Sequence, residues 1–146
     1  MALKLLKAVW FLSMAVSLVA LLYVYASLPQ EVVVQDDSDA RISISNEAFF
    51  YGVMIFIAIT NVTVFIIGKI FKTQEDLRTW FYLLIASLNL FFIVAINFIS
   101  LYNSAERFDF DRIAFVIYGS VGVVVLASVA WPIYILLRRT NSKLLV

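Results

Sequence analysis

Two asparagines stand in the middle of long apolar runs. Asn61 lies in FFYGVMIFIAITNVTVFIIGKI and Asn89 in WFYLLIASLNLFFIVAINFISL. A carboxamide carries two donor hydrogens and an acceptor oxygen, and in hydrocarbon no water meets them. Asn61 lies just past the centre of its run and Asn89 just before the centre of its own. The chain reverses between them through the polar segment from Phe71 to Thr79, so the two share a depth. They are expected to bond one another as interhelical glue, worth roughly 1 kcal/mol. The sharper use of the same groups is a polar binding or conduction site inside a bundle.

Each asparagine also falls on a stripe at helical spacing. Met54, Ala58, Asn61, Phe65 and Gly68 form one, and Ala86, Asn89, Ile93, Asn97 and Ser100 form the other. Small and polar residues on one stripe mark the helix-facing side of a membrane helix. Asn97 is therefore expected to be a third interhelical polar contact. Tyr23, Asn97, Tyr118 and Ser120 fall at similar depth by their distance from the span centres. They predict an outer polar layer, made either of mutual hydrogen bonds or of a shallow pocket for a lipid headgroup or peptide.

Other patterns carry less. Asp37 and Asp39 have the first spacing of a calcium loop, but Arg41 takes the next ligand position and no glycine or bidentate glutamate follows. Gly119-Ser120-Val121-Gly122 has no base beside it and reads as helix packing. Asn61-Val62-Thr63 matches a glycosylation sequon, yet lies mid-span. The chain has no histidine and no cysteine. Typical zinc sites, histidine-ligated haem, cysteine-ligated iron–sulfur clusters and serine–histidine or cysteine catalysis need those side chains. No Asp, Glu, Lys or Arg lies mid-membrane, which argues against proton-coupled transport. The expectation is a protein with no catalytic residues, cofactor or metal.

The elements that must position these residues follow from composition. Hydrophobic types make up 64 % of the 146 residues, and mean hydropathy is +0.99. Soluble domains hold roughly 45–50 % apolar residues, so a soluble core does not account for the chain. Runs of about 20 apolar residues signal membrane helices. Four are found, at about 5–26, 49–70, 80–101 and 113–137. Too few residues remain for a second folded domain. The predicted fold is an all-α membrane protein, a single antiparallel bundle of four transmembrane helices with short loops.

The N-terminal run is longer than the apolar core of a signal peptide and reads as an uncleaved anchor, with Ser13, Ser17 and Ala20 on its packing face. In the first loop, Val32-Val33-Val34 and the alternating Arg41-Ile42-Ser43-Ile44-Ser45 flank a polar QDDSDA. They read as a small β-hairpin on the membrane surface. Ser45 or Asn46 is expected to cap the second helix, Thr73 to Asp76 to form a capping box for the third, and Asp109 to cap the fourth. Pro132 should kink the fourth helix.

Lys4, Lys7, Lys69, Lys72, Arg78, Arg138, Arg139 and Lys143 fall on one side of the expected topology, and Arg41, Arg107 and Arg112 on the other. The positive-inside rule then places both termini in the cytoplasm. A net charge of +1 implies no nucleic-acid partner.

Leu28-Pro29 at the end of the first span, and Ser45-Asn46-Glu47-Ala48-Phe49 leading into the second, resemble a bacterial membrane family of unknown function that includes peptide-toxin immunity proteins. That family's His-Phe-Asn and glycine-containing loop is replaced here by Val34-Gln35-Asp36-Asp37, and no site residue carries across. The resemblance covers about the first 70 residues and implies a bacterial inner-membrane protein. The residues themselves point to a non-catalytic accessory or scaffold subunit of a larger membrane complex, in contact with the lipid bilayer and other membrane-protein subunits. The alternative is a stand-alone membrane binding protein, immunity-like or lipid-binding.

Overall fold

The structure, a computed structural model, describes residues 2–37, 40–104 and 110–143. The element order is α1 (Ala2–Ser27), β1 (Glu31–Asp37), β2 (Ala40–Ser45), α2 (Asn46–Ile70), α3 (Glu75–Tyr102) and α4 (Phe110–Lys143). All four helices are long and apolar enough to cross a membrane. Together they make the expected four-helix membrane domain, with the small antiparallel hairpin at one end.

Local chemistry sets the boundaries. Pro29 disfavours helical backbone at the residue before it, and α1 stops at Ser27, with the Leu28 amide still donating to Val24 O at 3.0 Å. Three successive β-branched valines then favour a strand. Val32 pairs with Ile44 and Val33 with Ser43, and Val34 is the extra residue of a bulge before Gln35 meets Ile42. Ser45 ends the hairpin and caps α2, its Oγ accepting from the Ala48 amide at 3.2 Å. The expected capping box of α3 does not form. Gln74 is the N-cap and makes no side-chain bond, which leaves Glu75 and Asp76 to favour the helix start by charge alone. The turn of the hairpin, with Asp39, and the proposed Asp109 cap lie outside the described residues.

The four helices are not equivalent. α3 packs against α1, α2 and α4, whereas α4 packs closely against α3 alone among the described residues. α3 is also the most buried span and α4 the least. Two apolar clusters form the core. The one at the hairpin end joins Leu21, Val24, Leu28, Val32, Phe49, Ile57 and Ile96, so the hairpin is keyed into the helices by Val32, which is fully buried. The other joins Trp10, Val64, Ile85 and Ala86. The stripe expected on α2 is rotated. Ala58 and Phe65 face outward, Phe65 with 66 % of its surface exposed, and the packed face is Ile57, Asn61 and Val64. Small size drew the expectation toward Ala58, but lipid solvates apolar side chains of any size, so branched residues can form the contact face as well.

Candidate functional site

Between the two apolar clusters lies a polar centre built from three helices. Asn61 on α2 and Asn89 on α3 are both buried, at 4 % and 0 % exposure. Their carboxamides pair reciprocally: Asn61 Nδ2 donates to Asn89 Oδ1 at 2.9 Å, and Asn89 Nδ2 donates to Asn61 Oδ1 at 3.0 Å. The structure therefore brings these two together. It adds two partners from α1 that sequence reasoning missed. The Trp10 indole N–H donates to Asn61 Oδ1 at 2.8 Å, and Asn89 Nδ2 donates to Ser13 Oγ at 3.1 Å.

The centre closes on itself. The second Asn61 Nδ2 hydrogen goes to Ile57 O at 2.8 Å, and the Ser13 hydroxyl donates to Trp10 O at 2.8 Å. Each polar hydrogen of the four side chains is thus used once. Aromatic rings wall the indole: Phe65 and Tyr82 meet Trp10 edge-on at 5.7 Å and 5.5 Å. Lys7 Nζ lies 5.9 Å from the centroid of the Tyr82 ring. Such an arrangement fixes the mutual rotation and depth of three helices. The four hydrogen-bonded side chains include no ionisable group and leave no spare donor to offer a ligand.

Signals for the added partners existed but were ambiguous. Ser13 was on the expected packing face of α1. Trp10 near a helix end reads as an interfacial anchor, and only the packing of α1 against α2 reveals where its N–H points.

The outer polar layer does not assemble. Asn97 is exposed and donates to its own helix, to Ile93 O at 2.7 Å. Tyr23 and Tyr118 are 75 % and 74 % exposed, on faces turned away from the bundle. Ser120 is buried against α3, but its hydroxyl returns to Ile117 O at 2.7 Å. Equal depth therefore did not imply convergence, because depth leaves rotation about each helix axis free. Asn97 is accordingly no interhelical contact. It lines a groove of about 260 Å³ between α3 and α4, with Ile93, Phe98, Ile113 and Val116.

At the opposite end of the same seam lies a larger groove of about 300 Å³, bordered by Leu6, Asp76, Trp80, Leu83, Trp131 and Tyr134. Pro132 has no N–H, so the carbonyl of Ser128 lacks its usual helical donor. One residue earlier, Ala127 O accepts the Trp80 indole N–H at 2.6 Å. Trp80 stacks on Trp131 at 6.0 Å, and Trp131 meets Tyr134 at 5.6 Å. Tyr134 reaches Asp76 Oδ2 at 3.4 Å, a long bond. These contacts tie the proline region of α4 to the start of α3.

At the hairpin end, Asn103 joins α3 to β1. Its Oδ1 accepts from the Val33 amide at 2.7 Å, and its Nδ2 donates to Val33 O at 3.0 Å and to Ile99 O at 2.9 Å. No grouping of His, Cys, Asp and Glu able to hold a metal ion occurs among the described residues.

Four apolar membrane-length helices, three of them joined by a closed polar centre, define an integral membrane protein with a helix-bundle core. No protein-family model matches the chain, and no curated protein or solved structure matches it.

Proposed function

We propose that this protein is a non-catalytic accessory or scaffold subunit of a larger membrane complex, set in a bacterial inner membrane with both termini in the cytoplasm. The observation that carries the reading is on α4. Gly119 is exposed and Gly122 half-buried, and a Cβ at either position would meet nothing within 4 Å. The chain's own packing therefore gives no reason for glycine there. Small residues on membrane helices let a neighbouring helix approach closely, and α4 packs closely against α3 alone among the described residues. The absence of histidine and cysteine and the closed polar centre support a role without catalysis.

The test is extraction in mild detergent followed by affinity capture. Stoichiometric membrane partners are expected with the native chain, and the pair Gly119→Ile and Gly122→Ile should release them without unfolding the bundle. A clean monomer that captures nothing overturns the reading.

A stand-alone binder is the second reading. The groove beside Trp80, Trp131 and Tyr134 favours it, since an aromatic border with a carboxylate at one end of a membrane helix suits a lipid headgroup. Deleting the gene would then sensitise cells to envelope stress with every membrane complex intact.

A further inference from the structure

The groove of about 300 Å³ at the α3–α4 seam is polar at one end and apolar at the other. Asp76 and Tyr134 stand at the end where α3 begins. Leu83 lies seven residues further into α3, roughly 10 Å along its axis. With Leu6 on α1 and Ala130 on α4 it makes the apolar remainder. The groove therefore runs inward along two spanning helices, from a carboxylate to hydrocarbon. A phospholipid has the same order, headgroup first and chains after. Trp80, Trp131 and Tyr134 border the groove, and such side chains gather at headgroup level. Its volume is at the low end for small-molecule sites, roughly 300–1,000 Å³, so it takes the headgroup end and leaves the rest in the bilayer.

Charge selects the headgroup. Asp76 is the one charged residue of the lining. It is exposed and makes no ion pair with a described residue. Its side chain accepts only the long bond from Tyr134 among them. Two described cations nearby are turned to other groups: Arg78 donates to Lys72 O, and Lys7 lies at the Tyr82 ring. A carboxylate also favours the start of α3, but that effect needs neither Tyr134 nor the groove, and Glu75 supplies it too. An anionic headgroup would bring its charge to a carboxylate. A cationic one would meet it with opposite sign.

Geometry then chooses between cations. A quaternary ammonium has no N–H and is held by an aromatic box. Here Trp80 and Trp131 lie at an interplanar angle of 28°, and Trp131 and Tyr134 at 33°. Near-parallel rings in contact do not make a box. What the polar end offers is acceptors, the Asp76 carboxylate and the Tyr134 Oη beside it. A primary ammonium brings three N–H donors to such a pair, and its bond to a carboxylate is charge-assisted.

We propose that this groove binds a phospholipid by its primary ammonium headgroup, which donates to Asp76 and Tyr134 while an acyl chain follows Leu6, Leu83 and Ala130 into the membrane. The inference rests on the reading of the groove as a headgroup site and narrows that reading to one chemistry.

The test is native mass spectrometry of the full chain in detergent, supplied with equal amounts of phosphatidylethanolamine, its N-methyl and N,N-dimethyl forms, phosphatidylcholine and phosphatidylglycerol, all with the same chains. Retained lipid should favour ethanolamine over choline by about threefold, the scale of an exposed charge pair. The methylated forms should fall between, since each methyl removes a donor and keeps the charge. Asp76→Asn keeps an acceptor for Tyr134 and removes the charge, so it should make ethanolamine and choline equal. Leu83→Trp fills the apolar end and should lower retention of every headgroup. No lipid retained by the native chain would overturn this inference and the headgroup reading together. Equal retention of all headgroups, or an excess of choline or glycerol, would overturn this inference and leave a headgroup site of other chemistry. An ethanolamine preference that survives Asp76→Asn in a folded chain would place the amine elsewhere and overturn it as well. The methylation series on the native chain decides the matter even where a variant fails to fold.

Discussion

The side chain of Asn103 pairs with Val33 as a neighbouring strand would, offering an acceptor to its N–H at 2.7 Å and a donor to its C=O at 3.0 Å. A carboxamide has the same donor–acceptor layout as a peptide unit, so one residue at the end of α3 can close a sheet edge. It also ties two segments 70 residues apart, which holds Val32 in the apolar cluster beneath.

Asn103→Leu should therefore unlatch the hairpin while the helices remain paired. Amide exchange at Val33 should rise, and stability should fall by about 1–3 kcal/mol, because Val33 loses both bonds in a half-buried place. Asn103→Asp keeps the acceptor and loses the donor, so it should show an intermediate effect. Unchanged protection of Val33 in Asn103→Leu would show that apolar packing alone holds the strand.

The polar centre predicts an asymmetry between its two asparagines. Asn61 Oδ1 accepts from both Trp10 and Asn89. Asn61→Leu thus strands the indole N–H together with the carboxamide of Asn89. Asn89→Leu leaves Trp10 bonded and leaves the Ser13 hydroxyl its own acceptor, Trp10 O. Reversible unfolding in detergent should show a loss of about 1–3 kcal/mol for Asn61→Leu and a smaller one for Asn89→Leu. The double variant should lose less than the sum, since the residues share their bonds. Equal and additive losses would contradict the shared network.

At the α3–α4 seam, Trp80→Phe keeps the aromatic surface and removes the N–H that Ala127 O accepts. The expected cost is about 1 kcal/mol. It should appear as faster amide exchange in the second half of α4, with the Val33 amide unchanged. Pro132→Ala restores a donor for Ser128 O and should slow exchange in that same turn.

Topology is tested with single cysteines, since the native chain has none. Ser43 in β2 and Thr73 between α2 and α3 are both exposed. Cysteine at the two positions should be labelled by an impermeant reagent from opposite sides, with Thr73→Cys on the cytoplasmic side. That side follows from the excess of Lys and Arg near the termini and the α2–α3 turn.

Much of the architecture was written in one dimension. Apolar runs of membrane length, a Leu-Pro stop, three valines opposite an alternating Arg41–Ser45 and a serine cap each depend on residues near one another in the chain. They placed four spans and a hairpin where the structure has them. The pairing of Asn61 with Asn89 was also legible, because a short turn between antiparallel helices converts sequence distance into depth. What the order of residues left open was rotation about each helix axis. That angle is set by which side chains pack between helices, a property of all the helices at once. It turned Tyr23, Asn97 and Tyr118 outward, although their depths agreed, and Ala58 and Phe65 with them. The same angles brought Trp10 and Ser13 to the asparagine pair and set α4 against α3 alone. Asn103 met Val33 only because α3 ends beside β1, a contact across 70 residues that no local pattern encodes. In hydrocarbon a polar group gains by finding any polar partner within reach, and tertiary packing decides which one is in reach.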